Sequence, residues 1–167
     1  VKIIEGCDNV CSYCIVPYVR GRERSRPSED ILDEIKKLVS KGVKVITLLG
    51  QNVNSYGRGL KEKIDFVGLL EKIDKIARSA KINFLTSHPK DASLELFKAI
   101  RDMESLSKNL HLPIQSGSDK ILKRMNRKYT AAKYKKLVES FRKIVKNSNV
   151  TSDIIVGFPG ETEKDFK

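Results

Sequence analysis

At 167 residues the chain is long enough to bury a substantial core, and its length is that of one domain. Its 40% hydrophobic and 32% charged residues are those of a soluble protein; the longest apolar runs, such as Val45–Leu49, are too short to span a bilayer, and the first residues are no signal peptide. The 33 basic against 21 acidic residues leave a net charge of +12, which fits either a polyanionic partner such as nucleic acid or lysine-rich, solvated helix faces.

In chain order, Lys2–Glu5 reads as the tail of a strand, ending at Gly6 and a loop with three cysteines. Pro27 to Asp30 has the form of a helix start, with Ser28 as the cap and two acids in the first turn. Ile31, Leu32, Ile35, Leu38 and Val39 recur at helical spacing, and Lys41-Gly42 closes that helix. Val43–Leu49 is apolar enough to predict a strand buried on both faces. The alternation then repeats. A helix on Phe66, Leu69, Leu70, Ile73 and Ile76 precedes the strand Ile82–Thr86. A helix on Leu94, Phe97, Ile100 and Met103 precedes the strand Leu110–Ile114. A short helix through Ile121, Leu122 and Met125 and a longer one from Tyr134 to Val145 lead to a strand at Asp153–Val156.

Strands alternating with helices predict an α/β fold with a parallel sheet, whose chemistry sits at the carboxyl ends of its strands. The unusual residues fall at those ends: the cysteines, then Gly50-Gln51-Asn52, Ser87-His88-Pro89, Gln115-Ser116-Gly117-Ser118 and Gly157-Phe158-Pro159-Gly160-Glu161. One polar loop is ordinary turn chemistry; five in one frame predict the rim of a single active site.

Cys7, Cys11 and Cys14 are the only cysteines, spaced C-x3-C-x2-C with Tyr13 just before the last thiol. An iron–sulfur cubane takes four ligands, so three thiolates leave one iron open to a small molecule. The competing reading is a zinc site completed by His88 or His111, although structural zinc sites pair two short ligand turns and no second turn is present. Three thiols cannot all pair as disulfides, and a reducing, cytoplasmic setting is the expectation.

This cysteine motif, at the end of the first strand of a repeating β/α chain, resembles the radical S-adenosylmethionine superfamily. The resemblance sharpens to the methylthiotransferases at Gly6-Cys7-Asp8, Tyr13 to Tyr18, Arg20-Gly21-Arg22-Glu23, Ser25-Arg26-Pro27, His111 to Ser118 and Ile155 to Thr162. Gly50 to Gly57 and Met125 to Thr130 are similar to the tRNA branch, which adds a methylthio group to carbon 2 of an isopentenylated adenosine beside the anticodon. The resemblance implies a partial (β/α)6 barrel, here truncated before its sixth strand, over residues 1–167. It also implies a [4Fe-4S] cluster on Cys7, Cys11 and Cys14, whose open iron binds S-adenosylmethionine and whose electron yields a 5′-deoxyadenosyl radical.

Tyr13 would then lie along the adenine, or be a core aromatic. Gln51 and Asn52 stand where many relatives bind the methionine amino group through an acid. Ser87, Gln115 and Ser116 would meet ribose or carboxylate, or make plain loop hydrogen bonds. Asp153 and Gly157 complete the cofactor set, Gly157 by letting the backbone approach the adenosine or simply by making a turn. His88 and His111 read as hydrogen-bonded core residues. Arg20, Arg22, Arg24 and Arg26 would meet the tRNA anticodon stem-loop, and a flavodoxin or ferredoxin would supply electrons.

The chain starts inside a strand without a methionine and stops at Lys167 as a helix begins, so it reads as a piece of a longer protein. The resemblance places a second [4Fe-4S] cluster, the sulfur donor, in an amino-terminal domain of the full-length protein, and an RNA-binding barrel at its carboxyl end. Two other readings stand beside it: the branch that modifies a ribosomal-protein aspartate, and a non-catalytic, zinc-stabilised RNA-binding module.

Overall fold

The computed structural model describes residues 1–167 throughout. Six short strands and seven helices alternate: β1 (Ile4–Glu5), α1 (Val16–Arg20), β2 (Arg24–Ser25), α2 (Ser28–Ser40), β3 (Val45–Leu48), α3 (Phe66–Ile76) and β4 (Lys81–Phe84) in the first half. The second half holds α4 (Leu94–Asp102), β5 (Asn109–His111), α5 (Asp119–Arg124), α6 (Ala131–Ile144), β6 (Asn149–Thr151) and α7 (Glu163–Phe166). A 3-10 turn at Val53–Ser55 follows β3.

Helix starts follow capping chemistry. The side chains of Asp65, Ser93, Ser118 and Thr130 accept the backbone N–H three residues on, satisfying donors that a helix start leaves orphaned. Thr162 and Asp165 cap α7 reciprocally. Ser28 departs from its expected role. Pro27 takes the capping position, and buried Ser28 instead donates its hydroxyl to Glu62 at 2.5 Å.

β3 and β4 pair in parallel, Val45 opposite Lys81 through Leu48 opposite Phe84, and β5 pairs in parallel with β6. Isolated parallel bridges join Lys2 to Leu49, Ile82 to Leu106 and Gln115 to Ile154. The strands therefore neighbour one another in chain order, with β2 added antiparallel to β1 at the edge. Helices α2, α3, α4 and α6 pack in sequence along one face. There Ile46, Leu48, Ile82 and Leu110 meet Ile35, Leu70, Ile73, Phe97 and Phe141 in a 27-residue core. Phe97 and Phe141 pack edge to face with centroids 5.1 Å apart. No helix is long and apolar enough to cross a membrane.

The opposite face is bare, which corrects two expectations. The second predicted strand is covered on one side only: Ile46 and Leu48 are buried, while Val45 and Leu49 are 57% and 44% exposed. An unbroken apolar run reads the same whether or not a second layer covers it. The last strand forms at Asn149–Thr151, with only a single bridge at Ile154 beyond it, rather than at Asp153–Val156. Exposed Ile154 and Val156 look strand-like by composition, but ladder pairing to β5 sets the element. α1 and β2, too short to show periodicity, were not expected.

Candidate functional site

β1 delivers the chain to Gly6, whose φ of +78° and tight packing admit no side chain: a Cβ there would lie 2.1 Å from the Arg22 carbonyl oxygen. The cysteine loop then folds across the strand ends. Cys7 N–H donates to Gly21 O at 3.2 Å and Cys14 N–H to Cys11 O at 3.0 Å. The far side of the loop is tied to the end of α5. Ser12 donates its backbone N–H to Met125 O and its hydroxyl to Arg124 O, and the Asn126 amide donates to Val10 O.

Cys7, Cys11 and Cys14 are free thiols opening on one cavity of about 150 Å³. Tyr13 and Asn9 line it from the same loop, Gln51 from the end of β3, and Thr86, Ser87 and His88 from the end of β4. Pro113 and Gln115 follow β5, and Arg127 reaches in from beyond α5. Larger hollows of about 710 and 730 Å³, around Tyr56 and around Lys128, contain no thiol.

Of the residues expected at the cofactor, Tyr13, Gln51, Ser87 and Gln115 share this cavity and Asn52, Ser116, Asp153 and Gly157 lie outside it. Gln51 Oε1 accepts the Gly6 N–H at 2.8 Å, so this side chain braces the cysteine loop. Asn52 is buried against Asp91, donating to it at 2.8 Å. Ser116 accepts the Ser118 N–H at 3.2 Å. Asp153 is 66% exposed beside His111, and Gly157 donates its N–H to Glu161 at 2.5 Å in an outer turn. The cavity is therefore lined from four strand ends rather than five, although Asp153 and Ile155 still pair by their backbones with Gln115.

Ser87 Oγ is buried without a hydrogen-bond partner, an open position in the cavity wall. Thr86 and Gln115 both have left-handed backbones, φ 69° and 73°, costly conformations that aim the loop ends inward. His88 is buried edge-on to Tyr129, its Nδ1 accepts the Lys90 N–H, and burial holds its pKa down to about 3, so the ring is neutral. Burial also raises the Tyr13 hydroxyl and the Cys7 thiol above their usual ranges.

Arg127 is the cavity residue that the sequence marks only within the Met125 to Thr130 segment, with no role at the thiols. It is 8% exposed and donates to Tyr129 Oη at 2.8 Å, Pro113 O at 3.1 Å, and Cys11 Sγ and Tyr13 Oη at 3.4 Å each. A lone arginine 116 positions from its thiol partner carries no local signal.

The cavity gathers three thiols, the number that a cubane with one open iron takes, and His88 lines it with its Nδ1 accepting the Lys90 N–H. In a cubane each thiolate caps a different iron. His111, one candidate fourth zinc ligand, is outside the cavity beside Thr151 and Asp153.

The arginines after the loop differ among themselves. Arg20 pairs with Glu5 at 3.3 Å and Arg22 with Asp8 at 3.2 Å, both exposed, and Arg24 is exposed without an ion pair. Arg26 is structural: its guanidinium holds Lys2 O at 2.6 Å and Glu34 at 2.7 Å.

Comparison with known proteins agrees with this geometry. The chain is 57% identical over 166 residues to the tRNA-2-methylthio-N(6)-dimethylallyladenosine synthase of Clostridium perfringens (strain SM101 / Type A), covering 99% of this chain and 37% of the relative. The synthase of that name from Thermoanaerobacter pseudethanolicus is 58% identical, with 99% and 35% covered. The chain thus spans little more than a third of the length of these relatives. A solved radical S-adenosylmethionine methyltransferase, TsrM from Kitasatospora setae with cobalamin and a [4Fe-4S] cluster bound, superposes with a TM-score of 0.78 at 16% identity, covering 99% of this chain and 32% of that one. The family model of the radical SAM superfamily matches residues 1–167, and with three thiols gathered at the strand ends as that family's chemistry requires, the chain belongs to the radical SAM superfamily.

Proposed function

We propose that the chain is the S-adenosylmethionine-cleaving core of a tRNA methylthiotransferase, folded as a partial (β/α)6 barrel whose parallel strands are β1, β3, β4, β5 and β6. The observation that carries this reading is the single cavity shared by three thiols, Tyr13 and the ends of neighbouring parallel strands. The chain-order bridges between strands support the barrel, and identity to synthases named for a 2-methylthio adenosine in tRNA supports the substrate.

In this reading Cys7, Cys11 and Cys14 hold a [4Fe-4S] cluster with one iron open to S-adenosylmethionine. The bound cluster supplies the electron that splits the sulfonium. The chain's own residues bind and orient. Tyr13 lies along the adenine, Ser87 offers its unpaired hydroxyl to ribose or carboxylate, and Gln115 offers its amide. Gln51 keeps the cysteine loop in register through Gly6. The cavity walls shield the reacting centre from water.

Arg20, Arg22 and Arg24 form the cationic lip that meets the anticodon stem-loop, where the modified base is an isopentenylated adenosine. A flavodoxin or ferredoxin would be the electron-donor partner, and the setting would be the cytoplasm. The sulfur source would be a second [4Fe-4S] cluster of the full-length protein, with residues 1–167 as the radical core. Anaerobic reconstitution with iron and sulfide tests the reading. It predicts a brown protein whose visible absorbance bleaches on reduction and whose paramagnetic spectrum changes when S-adenosylmethionine is added. A colourless protein that takes up zinc alone would overturn it.

A further inference from the structure

A guanidinium in a protein interior needs a counter-charge, because an uncompensated buried ion costs several kcal/mol. Arg127 is 8% exposed, yet none of the protein's ion pairs includes it. None of its partners is a carboxylate: they are the hydroxyls of Tyr129 and Tyr13, the Pro113 carbonyl and the Cys11 sulfur. The other arginines of the site region pair with carboxylates, Arg20 with Glu5, Arg22 with Asp8 and Arg58 with Asp91. No carboxylate lines the thiol cavity. Arg127 also borders the hollow around Lys128, but its Nη1 faces Cys11, so an anion in the thiol cavity is the one that this end of the guanidinium would meet.

We propose that Arg127 is the counter-ion of the ligated cluster and a positioning residue that sets its reduction potential through Cys11. The proposal rests on the cluster reading above. Three thiolates leave an oxidised [4Fe-4S]²⁺ cluster with a net negative charge, and one-electron reduction adds another. A fixed positive charge with an N–H directed at a ligating sulfur stabilises the reduced form more than the oxidised one. Charge and hydrogen bonds to the sulfurs are established determinants of such potentials.

The geometry suits this role. Tyr129 Oη accepts from Arg127 Nε while donating to Ile114 O at 2.7 Å, and Pro113 O accepts from Nη2. Those bonds fix the planar fork so that Nη1 can point only at Cys11 and Tyr13. Lysine cannot reproduce this, since its single ammonium lacks the fork.

The test is a potentiometric titration of the reconstituted protein under mediators and a low-potential reductant, read by paramagnetic resonance, with iron content measured in parallel. Arg127→Gln should retain iron and reduce about tenfold less readily, a potential lower by about 59 mV for a one-electron couple. Arg127→Lys, which keeps the charge but loses the fork, should fall by about threefold. Either folded, iron-loaded variant titrating at the wild-type potential would overturn the proposal. So would loss of the fold in both variants, which would make Arg127 a packing residue. A wild-type protein that takes up no iron defeats the cluster reading itself, a different result from an unshifted potential.

Discussion

The helix-covered face of the sheet and the strand-end cavity are built on opposite terms. Along the helix layer Leu70, Ile73, Phe97 and Phe141 are buried with exposures of 0%, and the starts of α3, α4 and α6 are closed by their own local caps. Around the cavity, Ser87 Oγ has no partner, Thr86 and Gln115 sit in left-handed conformations, and Arg127 lacks a counter-ion. One region has its interactions complete; the other keeps polar groups and charge in readiness for something bound. Stability should thus reside in the helix layer and chemistry in the cavity, and the two should be separable by substitution.

The largest expected effect is on the cavity side. Cys11→Ala should abolish the cluster, because two thiolates do not retain a cubane that three hold with one site open. Cys11 is only partly buried, so thermal unfolding of the apoprotein should shift little. Full iron content in the purified variant would contradict the ligand assignment, and an unfolded variant would erase the contrast between the regions. Phe97→Ala makes the reciprocal cut. It empties a fully buried site against Phe141 and should cost about 3–5 kcal/mol in urea unfolding. A cost near zero would mean that the helix layer is not where the fold is held.

His88 sharpens the comparison, since it is a cavity residue with a stability consequence. Burial favours its neutral form and holds its pKa down to about 3, against 6.5 in the unfolded chain. A depressed histidine leaves the unfolded state binding more protons between those values. Its contribution is complete above pH 6.5 and is lost as pH falls toward 3. The stability difference between wild type and His88→Gln should therefore narrow across that window. A difference constant with pH would show that the ring is not buried neutral.

The smallest effect concerns the lip. Exposed Arg22 and Arg24, changed together to alanine, should flatten the salt dependence of binding to an anticodon stem-loop, by about 0.7 for each single-strand phosphate they neutralise. Iron content should not change. An unaltered slope would leave them as ordinary solvated charges, Arg22 held by Asp8 alone.

The helix layer was legible in the sequence because its information is local: the 3.6-residue recurrence from Phe66 to Ile76 lies within a few positions of what it determines, although Ser28, the one cap read there, gives way to Pro27. The cysteines were legible for the same reason. The cavity wall was not. Arg127 meets Cys11 across 116 positions, and Asn52 is drawn aside by Asp91, 39 positions away. The left-handed turns of Thr86 and Gln115 occur at residues that do not advertise them. Asp153 and Gly157 lie outside the cavity, beside His111 and Glu161, contacts that the composition near Ile154 and Val156 does not show.

The central claim, that the gathered thiols and strand-end loops form a radical-generating centre, is tested most directly by following S-adenosylmethionine itself. Reconstituted protein, cofactor and a strong reductant should be incubated anaerobically and the products resolved by mass spectrometry. The account predicts 5′-deoxyadenosine and methionine in equal amounts, absent with Cys11→Ala. Intact S-adenosylmethionine in the presence of a fully loaded, reduced cluster would contradict it.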